Sequence, residues 1–568
     1  MGAAATARQV QGNPAGSVPA PRRGHLRLVT GEVTGLASPA PASTTFGLRR
    51  DFRLWHTYVF DTIGFAPGLV MAAFPTFAAT FFPGCNLFVV LALGTALTLA
   101  NGVVFGALAG VMPRSGGEYV YNSRLLHPAV GFVSNWGFTW SQLLGLAIYS
   151  QWCVAKALPS AIATVTWSLG GDAPAGLLAR LTSPVGTFLA AAAIIASVFA
   201  IHAAGVRLLR HVLTFGFAVI VAGLLTTLAL LVMSDRAGFV GAVDNFLRES
   251  RGVTDGYAWT LAAARSAGWR GHVAGASDYL AALAMVYWMF IGFTYSVYVG
   301  GEVDQPRRTQ MRAILGALAT GFVLYTATLA AYYHVVGRDF SEATAYLERH
   351  GVEVFPVPLG VNSVAGLLAG SPLLSAVVGL SYTLSHYILL LVIFTLVVRN
   401  VFAWGQDRVL PARLAGVTPR ARTPWAASVT ALTLSLSLLA LVCFTRLFTD
   451  VLDYIVLFSV SFWVTSFAAM LIPARQPAAL ADVASWLTRR VCGVPLLTLA
   501  GLANLGLFTL ILYASVAVPQ LTSPRGLWAD CFTAAVYVGG VAVYCLARWY
   551  HCRHGRDLRL LFTKLPPG

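Results

Sequence analysis

Charge is what this chain has least of. Only 11% of its 568 residues are Asp, Glu, Lys or Arg, about half the roughly 25% usual in soluble domains. That is too little to cover a water-exposed surface. With 57% apolar residues and a mean hydropathy of +0.71, the chain reads as an integral membrane protein. Lysine is almost missing: Lys156 and Lys564 stand against 36 Arg, a bias that speaks of composition rather than function. Cysteines are few and scattered (Cys85, Cys153, Cys443, Cys492, Cys531, Cys545 and Cys552). They show no metal-ligand spacing and give no argument for a disulfide framework. The first 45 residues lack an apolar run with a cleavage site, which argues against a signal peptide. Their Ala, Pro, Gly, Ser and Thr predict a disordered cytoplasmic tail over residues 1–50.

Twelve segments have the roughly 20 apolar residues that a helix needs to cross a bilayer. They are 57–81, 86–112, 129–155, 185–205, 211–233, 278–300, 313–336, 372–398, 425–445, 449–472, 494–518 and 527–547. With the N-terminus inside, inner segments hold 27 of the 38 Lys and Arg and outer segments 11. This positive-inside bias places both termini in the cytoplasm. It also accounts for the net charge of +16 without nucleic acid. The layout divides into spans 1–5 (51–233), a long outer connection (234–277), spans 6–10 (278–472), spans 11–12 (473–547) and a cytoplasmic tail (548–568). A second long outer connection covers 337–371. Both are expected to form short helices over the outer mouth.

The spans named 1 and 6 share an oddity. "YVFDTIGFAPGLV" (Tyr58–Val70) and "YWMFIGFTYSVYV" (Tyr287–Val299) both carry Ile-Gly-Phe mid-span, as Ile63-Gly64-Phe65 and Ile291-Gly292-Phe293. An odd number of spans per copy inverts the second copy, and interrupted helices at matching positions of inverted halves point to a transporter binding site. Unwound backbone in lipid persists only where protein, water or ligand satisfies it. Pro67 suits the first position of a new helix. That half-helix would offer its positive end and free N–H groups to a carboxylate. The first half of span 6 would end near Ile291 and offer carbonyls to an ammonium group. Carboxylate and ammonium sites side by side describe an amino acid. The alternative reading is bland: Gly and Pro are common in membrane helices, and a shared tripeptide arises by chance.

Two stretches carry a family resemblance. "MPRSGGEYVYNSRLLHPAVGF" (Met112–Phe132) resembles the Pro-Arg-x-Gly-Gly-x-Tyr signature of the amino acid–polyamine–organocation (APC) permeases. "FIGFTYSVYVGGEVDQPRRTQMRAI" (Phe290–Ile314) resembles the part of that family around its Trp-x-Phe-x-Gly motif, followed by Gly-Glu-Val and Pro-Arg-Arg. The resemblance runs over about residues 50–470. It implies an all-α LeuT-like fold of two inverted five-helix repeats, with broken helices 1 and 6, plus two further helices. It implies a multi-pass permease of a prokaryotic-type plasma membrane that carries amino acids by alternating access, without a cofactor. The carboxylate would meet the N–H groups of Phe65, Ala66 and Gly68 in the Gly64–Gly68 break. The amine would meet the carbonyls of Trp288, Phe290 and Ile291 in the break that includes Gly292 and Phe293. Trp288 would be an aromatic gate, and Pro113–Tyr121 a cytoplasmic re-entrant loop.

The coupling ion is expected to be H⁺, with Na⁺ or exchange as the alternative. Asp61 is the leading proton site, since intramembrane carboxylates are costly and usually functional; the alternative pairs it with Arg53 or His56. His386 is a relay candidate, while His202 reads as a buried neutral imidazole. Ser381 and Ser385 are the hydroxyls a sodium site would use, although they are not adjacent. Arg114, Glu118, Glu302 and Arg307 are gate candidates, Glu302 and Arg307-Arg308 reaching Arg114 or Glu118. The absence of charge at the breaks, Asp61 apart, favours neutral or apolar amino acids. A membrane acyltransferase is a remote alternative, since His56 and Asp61 spell His-x4-Asp without the accompanying motifs. A pore would need rings of like groups, and none is present. Which amino acid, the direction of net transport and the oligomeric state are not written in the sequence.

Overall fold

The computed structural model describes residues 50–563 apart from 172–173, 356, 446, 449–453 and 523–526. The expected N-terminal tail lies almost wholly outside the described residues. Span 1 is two helices, α1 (Leu54–Gly64) and α2 (Pro67–Phe81), followed by α3 (Leu87–Val111). A short α4 (Glu118–Leu125) sits in the connection to α5 (Pro128–Trp152), which continues through a π-turn at Cys153–Ala157 into α6 (Leu158–Ser168). Then come α7 (Ala175–Thr182), α8 (Pro184–Ala204), α9 (Val206–Met233), α10 (Arg236–Arg251), α11 (Gly256–Ser266) and α12 (Ala276–Phe290). The later helices are α13 (Pro306–Val335), α14 (Arg338–Arg349), α15 (Val361–Leu368), α16 (Pro372–Gln406), α17 (Trp425–Phe444) and α18 (Ile455–Arg475). The chain closes with α19 (Pro477–Val483), α20 (Leu496–Ala517), α21 (Pro519–Thr522) and α22 (Leu527–Arg553). Arg490–Val491 and Val494–Pro495 pair as a small antiparallel hairpin.

Ten helical stretches among the described residues are long and apolar enough to cross a membrane. The remaining two expected spans depart for reasons tied to the protein interior. α12 is only 15 residues long before its break. α5 carries Ser134, Asn135, Thr139, Ser141 and Gln142, all buried, so its polar groups face protein. Leu93, Phe215, Val323 and Val538 are exposed on the outer surfaces of their helices, the pattern of a chain whose exterior solvent is lipid.

α16 is the central post: it packs against α1, α2, α5, α6 and α9. The two long connections are not irregular. α10, α11, α14 and α15 build a second apolar core, in which Phe239, Val243, Leu247, Phe340 and Val364 pack with Tyr332 and Val335 at the end of α13. This cap also touches α2, since Glu342 accepts from the Gly84 N–H (3.0 Å) and Arg349 donates to the Thr80 carbonyl (3.3 Å).

Candidate functional site: the crossing of two broken helices

The two shared glycines meet. A Cβ on Gly64 would lie 2.3 Å from the Gly292 carbonyl oxygen, and one on Gly292 would lie 2.1 Å from the Gly64 carbonyl oxygen. Any side chain here forces the helices apart. α1 stops at Gly64, Ala66 takes a left-handed conformation (φ 46°), and α2 restarts with Pro67 at its first position. α12 stops at Phe290, and Gly292 turns the chain with φ 101°, a region open to glycine and strained for other residues.

The unwound backbone is partly self-satisfied. The Ala66 N–H bonds the Ile63 carbonyl (2.8 Å), so in this conformation it is not a spare donor as the sequence reading assumed. The Leu69 N–H goes to Ser385 Oγ (3.2 Å). The Trp288 carbonyl accepts from the Ile291 N–H (3.2 Å) and the Phe290 carbonyl from the Phe293 N–H (3.0 Å). Each carbonyl keeps a second lone pair.

Beside the crossing is a cavity of about 20 Å³, room for one or two waters. Gly64, Phe65, Ala66, Trp288 and Ile291 line it, together with Ser141, Gln142, Gly145, Tyr149, Tyr295, Leu389, Ile393 and Tyr454. Its lining carries no ionised side chain. Trp288 Nε1 donates to Tyr149 Oη (3.3 Å), and Tyr454 Oη donates to the same oxygen (2.9 Å). Tyr295 Oη donates to Gln142 Oε1 (2.8 Å). The Trp288 ring also packs on Phe77 of α2 (5.4 Å between centroids). The other expected residues lie elsewhere. Phe290 packs on Phe65 and Tyr325, and Phe293 reaches towards Gly102 of α3. Gly68 lines a neighbouring small cavity with Ser381.

Asp61 is fully buried and pairs with neither Arg53 nor His56. It accepts from the Ser296 N–H (2.7 Å), and its other oxygen lies 2.9 Å from Ser296 Oγ. His386 Nδ1 lies 3.0 Å from the Tyr382 carbonyl one turn back on its own helix. Ser381 Oγ donates to the Ile220 carbonyl (3.0 Å), so the two serines serve different neighbours. His202 is buried against Ser428 and Phe394.

The gate candidates take other partners than expected. Glu302 binds neither Arg114 nor Arg307; its carboxylate accepts from Arg399 Nε of α16 (2.6 Å), both side chains 1% exposed. Arg307 pairs on the surface with Asp482 (2.8 Å), and Arg114 Nη1 donates to the Pro113 carbonyl (3.0 Å). A pair absent from the sequence reading ties α4 to the end of α16: Arg124 makes two bonds to Asp407 (2.6 and 2.7 Å), and Tyr119 Oη adds a third (2.6 Å). Backbone bridges join Phe52 to Val303 and Ser115 to Val299. The chain before α1, the loop before α4 and the segment after the α12 break are therefore stitched together at one end of the bundle.

Glu118, in the connection between α3 and α5, is buried without a cation. Asn135 Nδ2 (2.9 Å) and Ser461 Oγ (3.1 Å) donate to one oxygen. The Tyr298 hydroxyl lies beside the carboxylate, whose second oxygen makes no hydrogen bond of full geometry. Burial pushes this carboxyl from about 4.5 up to about 7 against those hydrogen bonds. The folded protein thus holds a proton that the unfolded chain has released. This residue's contribution to stability is complete below pH 4.5, falls as pH rises towards 7 and is flat beyond. Glu118→Gln should match the wild type near pH 4.5 and exceed it above pH 7 by on the order of 3 kcal/mol. Thermal unfolding in detergent across that range reads the difference, and parallel curves would refute it.

Two interrupted helices crossing at a buried, uncharged cavity, inside a bundle with an apolar exterior, define an all-α integral membrane permease architecture. A family model described as amino acid permease matches residues 58–541, and the chain belongs to that family. It is also similar to proteins named as uncharacterized transporters in Mycobacterium bovis (strain ATCC BAA-935 / AF2122/97) and Mycobacterium tuberculosis (strains CDC 1551 / Oshkosh and ATCC 25618 / H37Rv). Each is 25% identical over 352 residues, which are 62% of this chain and 65% of the relative. The chain therefore covers just under two thirds of those relatives' length.

Proposed function

We propose that the protein is a secondary active transporter that moves amino acids across the plasma membrane by alternating access, coupled to protons and favouring neutral or apolar substrates. The observation that carries this is the cavity at the crossing. The first turn of α2 brings its positive end there, and the last turn of α12 brings carbonyls and a negative end. Both ends of a zwitterion are thereby matched without a charged side chain. The aromatic and aliphatic lining suits an uncharged side chain. Because the cavity holds only water-sized groups, an amino acid enters only when α1, α2 or α12 moves, which is what alternating access requires. The stitched end, with Phe52, α4 and the Glu302–Arg399 pair, is assigned to the cytoplasm by the arginine bias. The cap is assigned to the outside.

The test is uptake of a labelled amino acid mixture into proteoliposomes under an inward proton gradient, a sodium gradient or neither. Accumulation driven by protons supports the reading. Accumulation driven by sodium, or uptake only into preloaded vesicles, replaces protons by sodium or by exchange. No uptake by folded protein rejects amino acids as substrates. Trp288→Ala removes the ring that bridges α12, Tyr149 and Phe77. It should weaken binding at least tenfold, about 1.4 kcal/mol, as read by ligand-induced thermal shifts. Unchanged affinity would remove Trp288 from the site.

A further inference from the structure

The hydrogen bonds around Ser296 do not balance if Asp61 is ionised. Ser296 Oγ lies 2.9 Å from Asp61 Oδ2 and 2.8 Å from Gln310 Oε1. A hydroxyl has one proton to give, and an ionised carboxylate and an amide oxygen both only accept. The Gln310 amide cannot be turned over without loss, because its Nε2 donates to the Ser296 carbonyl (3.2 Å). Inverting it would set two carbonyl oxygens against each other. The remaining arrangement has Asp61 Oδ2 donating to Ser296 Oγ, which donates to Gln310 Oε1. The Ser296 N–H holds Asp61 Oδ1 (2.7 Å). Each of these contacts then has one donor and one acceptor.

The surroundings agree. Asp61 is fully buried, and no arginine, lysine or histidine forms an ion pair with it among the described residues. From the segment after the α12 break it meets Ser296, and Ser296 in turn meets Gln310 of α13. The nearby tyrosines are committed elsewhere, Tyr295 to Gln142 and Tyr58 to Thr320. An unpaired charge in such a place is expensive.

We propose that Asp61 carries a proton in this conformation, and that this proton fastens α1 to the segment after the α12 break. Losing it converts Oδ2 from donor to acceptor. Ser296 Oγ then has two acceptors and one proton: it turns to the carboxylate and leaves Gln310 Oε1 without a donor, and the buried charge, with no cation beside it, favours movement of α1 towards water. The proton departs from Oδ2 to water on the side to which α1 opens. Rebinding restores the chain of bonds. This deepens the proton-coupled reading above and rests on it for its role in transport, but the protonation itself does not.

Asp61→Asn keeps the geometry, because an Asn amide donates to Ser296 Oγ as the protonated acid does. Infrared difference spectroscopy of purified protein at pH 7 should show a protonated-carboxyl C=O stretch that is missing in Asp61→Asn. The Glu118→Gln variant must retain this band, which separates the two buried carboxyls. In proteoliposomes, Asp61→Asn should lose proton-driven accumulation at least tenfold, and Ser296→Ala should shift its pH dependence. Absence of the band from wild-type protein overturns the proposal whatever transport shows. A band with full proton-driven accumulation in Asp61→Asn overturns the fastening role. If the wild type carries no amino acid, the transport reading fails while the spectral test still decides the protonation.

Discussion

Arg399→Leu, with Glu302 left in place, is expected to be among the most damaging single changes in the chain. The pair sits at 2.6 Å with each side chain 1% exposed. Removing one partner of such a pair strands a buried charge and costs about 3–5 kcal/mol. The double variant Arg399→Leu with Glu302→Leu should regain most of that loss, since replacing a buried pair by apolar residues is often neutral or stabilising. A double-mutant cycle on thermal stability measures this. If the double variant instead loses the sum of the two single losses, the two residues act independently and the pair is not a unit. Transport should separate the variants differently. Glu302 lies on the segment after the α12 break and Arg399 on the central α16, so an apolar replacement that restores stability would still alter how readily that end opens.

The second large effect is expected at the glycine crossing. Gly292→Ala places a methyl 2.1 Å from a backbone oxygen at a φ of 101°, and Gly64→Ala places one at 2.3 Å. Real Cβ atoms do not approach backbone so closely, and backbone cannot swing aside as a side-chain tip does. Either change must separate α1 from the α12 break, with loss of folded protein or of ligand-induced stabilisation. Gly506→Ala is the control. Nothing lies within 4 Å of its Cβ, and it stands inside α20, where alanine is the better helix former. Fluorescence size-exclusion profiles and ligand thermal shifts of the three variants test this together. A Gly292→Ala protein that folds and binds normally would show that the close approach is not required.

Much of this was legible beforehand because glycine and proline interrupt a helix for reasons written in single residues. Gly64, Pro67 and Gly292 sit where the helices stop and start, and the Ile-Gly-Phe pair marks the two backbones that touch. What stayed hidden depends on partners far apart in the chain. Arg399 is the clearest case. The hydropathy of span 8 fades at residue 398, so its arginine reads as a loop cation, yet α16 runs on to Gln406 and buries it. Gln142, Tyr149 and Tyr454 had no signal either, being neutral groups inside apolar runs whose facing is set by packing between helices. Ser296 lies four residues beyond Gly292, in a stretch whose shape after the break no periodicity describes.

The cap has a consequence for rates. It beds α14 against α2 and holds the end of that helix through Gly84 and Thr80, with an apolar core of its own beneath. At the other end α1 packs on α9, α13 and α16, but its links to the segment after the α12 break are hydrogen bonds and short backbone bridges, which water replaces one at a time. Bonds that exchange singly have low barriers, whereas a greasy interface must slide or part as a whole. In a transport cycle the end near α1 would therefore flicker quickly and the capped end would set the clock.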